Sequence, residues 1–289
     1  MAKLKPGDGI QKLIADTLAI EAEAAHEAGA IGFMARALVQ ATLPHKRVTG
    51  SEFTRRNGAY TLTLLAPSHI GLPYGTVPRL LLAWLTTEAV KTQSRDLELG
   101  DSLSEFMRAL DLVPTGGRWG SISRLKGQTR RLFASTVSAS YADQEKVAEA
   151  GYRLADRSML LWDAKGPEQA GLWRSTVTLT EAFYREIVEH PVPVDMRAIR
   201  ALKRSPMALD IYCWLTYRSS YAKRDSIIPW PALAVQFGAE YGRVRDFKAA
   251  FLGELKKVTL IYSDANVAVT DKGLLVKPSR PHIARRKAD

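Results

Sequence analysis

A single cysteine stands in 289 residues. That excludes an intramolecular disulfide and any multi-cysteine zinc site. Cys213 lies among Ile211, Tyr212, Trp214 and Leu215, so it reads as a packed core thiol rather than a nucleophile. The five histidines, His26, His45, His69, His190 and His282, are scattered, with no pair at metal-ligand spacing. A nicking enzyme of the paired-histidine, tyrosine-nucleophile kind needs His-X-His, which is missing. No GxxxxGK[ST] stretch is present, which counts against a P-loop ATPase, and the carboxylates form no recognisable metal cluster. The longest apolar run, near LLLAWL, is far too short to span a bilayer, and the first residues lack the apolar core of a signal peptide. These absences lead us to expect a soluble cytoplasmic protein that is not an enzyme and needs no metal or cofactor.

What the chain has in surplus is positive charge. Forty-one Lys and Arg oppose 30 Asp and Glu, giving +11 and a pI near 9.7. Such an excess favours a polyanion, because long-range attraction and counterion release both grow with it. By itself it does not separate nucleic acid from an anionic membrane surface. The charge is not gathered on one amphipathic helix, which argues against the membrane.

The charge is concentrated in one stretch. From Arg118 to Arg131 there are five basic residues (Arg118, Arg124, Lys126, Arg130, Arg131) and no acidic one. At 100° per residue, Ile122, Leu125, Leu132 and Phe133 fall on one side of a helix, with Ser123, Arg124, Gly127, Arg130 and Arg131 on the other. A turn, PTGG, precedes it. One face can pack and the other can meet phosphate, as a helix in the major groove requires. A solvated basic face on an ordinary helix is equally compatible with this segment alone.

Repetition favours the first reading. The segment 81–99, LLAWLTTEAVKTQSRDLEL, is answered at 210–228 by DIYCWLTYRSSYAKRDSII. Trp84, Leu85 and Thr86 match Trp214, Leu215 and Thr216, and Arg95-Asp96 recurs as Arg224-Asp225. Behind each copy the pattern predicts a strand, a helix, a turn, a basic helix and a hairpin, the order of a winged helix. In the second copy the basic helix is RVRDFKAAFLGELKK, with Val244, Phe247, Phe251, Leu255 and Val258 as its apolar stripe. Internal repetition of a whole unit is hard to obtain by chance packing.

The expected fold is therefore α+β: two tandem winged-helix domains preceded by an N-terminal helical segment. Residues 1–58 form that segment, with helices over 10–28 and 33–42 and a polar, turn-rich stretch after them. Residues 59–190 form the first domain, with a strand over 59–66, Asp101 capping a helix, and a joining helix capped by Thr180. Residues 191–289 form the second domain and a basic tail, entered through a PVPVD linker. After the first basic helix, STVSASY and YRLADRSMLLWDA are expected to make the hairpin, with its tip at 143–146.

DNA contacts are expected from Arg118, Ser121, Ser123, Arg124, Lys126, Gly127, Gln128, Arg130 and Arg131 in the first unit. In the second they are expected from Arg243, Arg245, Lys248, Ala249, Lys256 and Lys257. Arg124 and Arg131 suit bidentate contact with guanine, while Arg118, Lys126, Lys256 and Lys257 suit phosphates. Gly127, with Ala249 and Gly253 in the second helix, leaves the middle of each outward face small. A central glycine costs roughly 1 kcal/mol against alanine, which close approach to a groove would offset; tolerance of a neighbouring side chain is the alternative. The tryptophans read as core or hinge residues. Only Trp119 is open to stacking on exposed bases.

The stretches GFMARALVQATLPH, FTRRNGAYTLTLLAP and IGLPYGTVPRLLLAWLTTEAVKTQSRDLELGDSLSEFMRALDLVPTGGRWGSISRLKGQTRRLFAS resemble the RepA-type plasmid replication initiators of Gram-negative bacteria. The resemblance is close over residues 31–180 and looser beyond. It implies a protein that binds directly repeated double-stranded sites (iterons) in a plasmid origin, commonly through two winged-helix domains. It also implies origin opening and recruitment of a host initiator protein and the replicative helicase. Self-association between monomer and dimer, control of copy number and repression of its own gene are implied as well. A winged-helix repressor without a replication role and a nicking or priming enzyme are the rival readings.

Overall fold

A computed structural model describes residues 8–100, 102–143, 145, 147–159, 175–238 and 241–283. The chain opens with α1 (Asp8–Ala22), β1 (Ile31–Ala35), α2 (Arg36–Gln40), β2 (Glu52–Asn57) and β3 (Tyr60–Leu65). Next come α3 (Thr76–Thr92), β4 (Asp96–Glu98), α4 (Leu103–Ala109) and α5 (Ser121–Ala134), then β5 (Thr136–Ala142), β6 (Val147–Arg153), β7 (Ala155–Met159) and β8 (Thr176–Leu179). After α6 (Glu181–Glu189) and β9 (Pro191–Asp195) follow α7 (Met196–Leu202), α8 (Pro206–Ser219), β10 (Ser226–Pro229), α9 (Trp230–Phe237), α10 (Val244–Ile261), β11 (Val267–Val269) and β12 (Gly273–Val276). The fold is mixed α and β, and no helix among the described residues is long and apolar enough to cross a membrane.

Two compact units result: Phe33–Pro191, and Met1–Gly32 together with Val192–Asp289. The segment expected to stand apart at 1–58 is thus divided, with α1 belonging to the unit of 192–289. It is also not wholly helical. Glu52–Asn57, where a polar, turn-rich stretch was expected, is a strand, because Asn57-Gly58 turns it back onto β3 with Gly58 at φ +59. PVPVD, expected as linker, is β9.

In the unit of 33–191, β2-β3-β5-β6 form an antiparallel sheet. Phe53, Leu64, Val137 and Tyr152 make one continuous cross-strand row, and all four are buried. Such a row is how a sheet fixes its register, since a slip by one residue would turn every member to solvent. Tyr152 stacks on Phe183 of α6 at 5.7 Å, and burial pushes its phenol pKa well up. A second sheet has the order β4-β8-β7. The expected hairpin is therefore corrected. The expected strand over 152–164 is broken at Leu154: Tyr152 and Arg153 end β6, which pairs with β5, 155–159 form β7, which pairs with β8, and 160–164 lie outside the described residues. Only the second pair joins β4. Ser102, not Asp101, caps α4, its side chain accepting from the Glu105 N–H at 3.1 Å; Asp101 lies outside the described residues. Thr180 caps α6 by accepting from the Phe183 N–H.

In the other unit the sheet runs β10-β12-β11. Phe247, Phe251, Leu255 and Val258 bury the inner face of α10, and Phe251 touches Phe237 at 5.6 Å and Trp230 at 6.2 Å. Each such buried aromatic contributes about 1.5–3 kcal/mol by leaving water. Val244 departs from the expected stripe: it is 42% exposed, one position beyond the helix's N-cap. Cys213 is buried.

The repeat is visible as packing. α3-β4-α4-α5-β7-β8, with β5 and β6 inserted after α5, and α8-β10-α9-α10-β11-β12 follow the same order, and each sheet has the order first, last, middle. Trp84 meets Phe106 edge-on at 5.1 Å and 82°, and Trp214 meets Phe237 at 5.4 Å and 78°. In both units the first helix is keyed to the second by the same aromatic pair.

Candidate nucleic-acid interface

The turn before α5 is closed by its own side chains. Ser121 Oγ donates to the Val113 carbonyl at 2.6 Å and accepts from the Thr115 N–H at 2.9 Å. Thr115 Oγ1 in turn accepts from the Ser121 N–H at 2.9 Å. Backbone bonds from Gly120 N–H to Gly117 O and from Ile122 N–H to Thr115 O complete the seat. Gly117 sits at φ +83, in the left-handed region that favours glycine. A Cβ on Gly120 would overlap the carbonyls of Thr115 and Gly116. The glycines of this turn therefore fix where the helix starts.

α5 then divides its residues between two faces. Leu125, Thr129, Leu132 and Phe133 are buried, as are Ser121 and Gln128. Ser123, Arg124, Gly127 and Arg130 are exposed on the outer face, with Arg118 exposed in the turn and Lys126 half-buried at the side. Ser123 Oγ donates to the Gly117 carbonyl at 2.8 Å. Among the described residues, nothing lies within 4 Å of where a Gly127 Cβ would stand, so no neighbouring side chain among them accounts for the glycine.

Three residues expected at the DNA face are used inside the protein. Ser121 closes the turn. Gln128 Oε1 accepts from the Tyr74 N–H at 2.9 Å. Arg131 Nη1 donates to the Leu72 carbonyl at 3.1 Å, with its guanidinium 5.7 Å from the Tyr74 ring. Periodicity placed Arg131 on the outward side, but the GLPYG loop comes back over that side and captures it. The position of Arg131 is that of a loop anchor rather than of a guanine reader.

Two residues that sequence reasoning missed join the outer face. Arg153 and Ser158 line, with Lys126, Gly127, Arg130 and Phe133, a cleft of about 520 Å³ beside the C-terminal half of α5. Arg153 is steadied by a 3.4 Å bond from Nη2 to the Phe133 carbonyl. No local pattern signals them, because the approach of the β6–β7 junction to α5 is a product of tertiary structure.

α10 presents a weaker version of the same face. Ala249, Gly253 and Lys256 are exposed, and Arg243 stands exposed at the N-cap. Lys248 Nζ lies 4.7 Å over the Trp230 ring, and Lys257 pairs with Glu254 at 2.9 Å. Arg245 lies beside Asp246 at 3.5 Å. These exposed pairs contribute little stability, yet they reduce the positive field. α10 carries Asp246 and Glu254 along its length; α5 carries no acid.

Of the two expected hairpin tips, the first belongs to β5–β6 and is held by Asp143, which accepts from Tyr141 Oη and from the Glu145 N–H. Gln144 and Lys146 lie outside the described residues. In the second, Lys272 is exposed and Thr270 closes the turn onto Gly273. Among the described residues, no group of three or more His, Cys, Asp or Glu could hold a metal ion.

The model of the family of plasmid-encoded RepA proteins matches residues 72–230, more than half of the chain. The chain belongs to the RepA family. This is a family of plasmid replication proteins. The matched stretch contains the GLPYG loop from Leu72 onward, the glycine turn and all of α5, and it stops before α10. Two crystal structures are similar in fold. One, of RctB domains 2-3 (RctB-155-483), has a TM-score of 0.52 and 11% identity and covers 83% of this chain and 96% of that one. The other, a selenomethionine derivative of RctB domains 2 and 3, has the same TM-score and identity and covers 82% and 94%. No curated protein sequence matches the chain.

Proposed function

We propose that this RepA family member is a non-enzymatic replication initiator that binds repeated double-stranded DNA sites at a plasmid origin. Both units act as winged helices: the helix–strand–helix–helix succession and the three-stranded sheet order in each support that reading. The observation that carries the DNA role is the outer face of α5, where Arg124, Gly127 and Arg130 lie exposed on a helix without an acidic residue. Arg124 reads a base edge in the major groove, and Arg118, Lys126, Arg130 and Arg153 meet phosphates. Ser123 adds a polar contact at the start of the helix. Ser121, Gln128 and Arg131 hold the helix and its loop in place. α10 meets a second segment of the duplex through Arg243, Arg245, Ala249 and Lys256. Lys248 and Lys257, already engaged by Trp230 and Glu254, contribute less. Origin opening, a host initiator and the replicative helicase as partners, self-association and cytoplasmic action complete the proposal.

Footprinting of the purified chain on the DNA around its own gene, at two salt concentrations, tests it. Several evenly spaced direct repeats, with protection falling steeply as salt rises, are the expected result. A single palindrome at a promoter points to a repressor instead. Absence of sequence-selective protection at either salt overturns the assignment of α5.

A further inference from the structure

The most exposed large apolar side chain among the described residues is Trp119, at 81%. It stands immediately before the Gly120 N-cap of α5, on the turn that Thr115 and Ser121 close by hydrogen bonds. Its packing partner is a cation: the Arg118 guanidinium lies 5.1 Å from its ring. An indole left in water presents a flat ring face on which another ring can stack. The surroundings define the ligand. No acidic residue occurs between Pro114 and Ala134; Arg118 lies against the ring, and Arg124 is exposed in the first turns of the helix that follows. A flat π surface attached to negative charge fits that setting, which is the chemistry of a nucleobase on its phosphate backbone.

We propose that Trp119 stacks on a DNA base released from pairing next to the segment held by α5, with Arg118 closing on the adjoining phosphate. The proposal rests on the reading of α5 as a DNA-binding helix and adds a preference for locally opened duplex. A paired duplex offers bases only at their edges, so the ring finds no partner there; an unpaired base offers its face.

The test uses the full chain and two short duplexes of arbitrary sequence, identical except for two neighbouring mismatches at the centre of one, at low salt. We expect tighter binding of the mismatched duplex by about 5-fold or more, within the range of one stacked base. Trp119→Ala abolishes that preference with the affinity for paired duplex kept; Trp119→Tyr retains most of it. The exposure of Trp119 makes both variants fold. Arg130→Ala, which removes a phosphate contact, weakens both duplexes alike. Equal binding of the two duplexes by the unaltered chain overturns the role of Trp119 and leaves the reading of α5 standing, whereas binding to neither overturns both. A preference that survives in Trp119→Ala, or a Trp119→Ala chain that loses self-association without losing the preference, overturns the stacking role in favour of a protein contact.

Discussion

The side chain of Gln128 accepts a hydrogen bond at 2.9 Å from the backbone N–H of Tyr74, and through it the inner face of α5 holds the loop that leads into α3. Gln128 is buried, so its removal leaves the Tyr74 N–H without that acceptor. Gln128→Ala is expected to cost about 1–2 kcal/mol of stability, seen as a lower midpoint in urea unfolding. DNA affinity per folded molecule should change far less.

Arg124 and Arg131 separate two kinds of arginine on one helix. Arg124→Ala should weaken specific DNA binding by about 1–3 kcal/mol and relax discrimination at one base pair, with stability unchanged. Arg131→Ala should do the opposite, because its guanidinium is bonded to the Leu72 carbonyl and lies over Tyr74. Parallel binding isotherms and melting curves check both. Equal loss on specific and random DNA for Arg124→Ala would sink its role at a base.

Much of this was legible in the sequence because it is local. The 100° periodicity of 121–134 reports which apolar residues go inward, and Asn57-Gly58 and the PTGG turn need backbone angles that few residues supply. The internal repeat was legible because Trp84 and Trp214 are keyed to the same partner type in each unit. What escaped depends on contacts distant in sequence. Arg131 turns inward only because Leu72 and Tyr74 reach it, and the division of α1 from β2 follows from packing between segments far apart in the chain. Leu154 is another case: one strand was expected through 152–159, and it breaks there because its two halves pair with β5 and β8.

His282 gives the unit of 192–289 a pH dependence. Its Nδ1 is bonded to the Tyr212 hydroxyl at 2.7 Å, and that hydroxyl accepts from the Asp195 N–H. Burial holds the His282 pKa below 6.5; Asp195 and Asp264 oppose the shift and Arg197 adds to it. The unfolded chain therefore takes up the proton first as pH falls. Stability from this group is intact above about 6.5 and is lost as pH falls through the lowered native value. Melting temperature should decline from neutral to mildly acid pH, and His282→Gln should flatten that decline. An unchanged slope in His282→Gln would assign the acid sensitivity to another group.

Gly127 allows stability and binding to be driven apart by one methyl group. It is exposed in the middle of α5 with nothing among the described residues within 4 Å of an added Cβ, so alanine fits without strain there. Gly127→Ala should stabilise the helix by roughly 1 kcal/mol, the difference in helix propensity, and raise the melting temperature. If DNA backbone or a base edge comes against this face, the methyl occupies the space it needs, and affinity falls while stability rises. Calorimetric melting and a DNA titration on the same preparation read both quantities. A variant that is more stable and binds as well as the original chain would mean that the groove does not approach α5 at its centre, and contact would then have to run through Arg124 and Arg130 at longer reach.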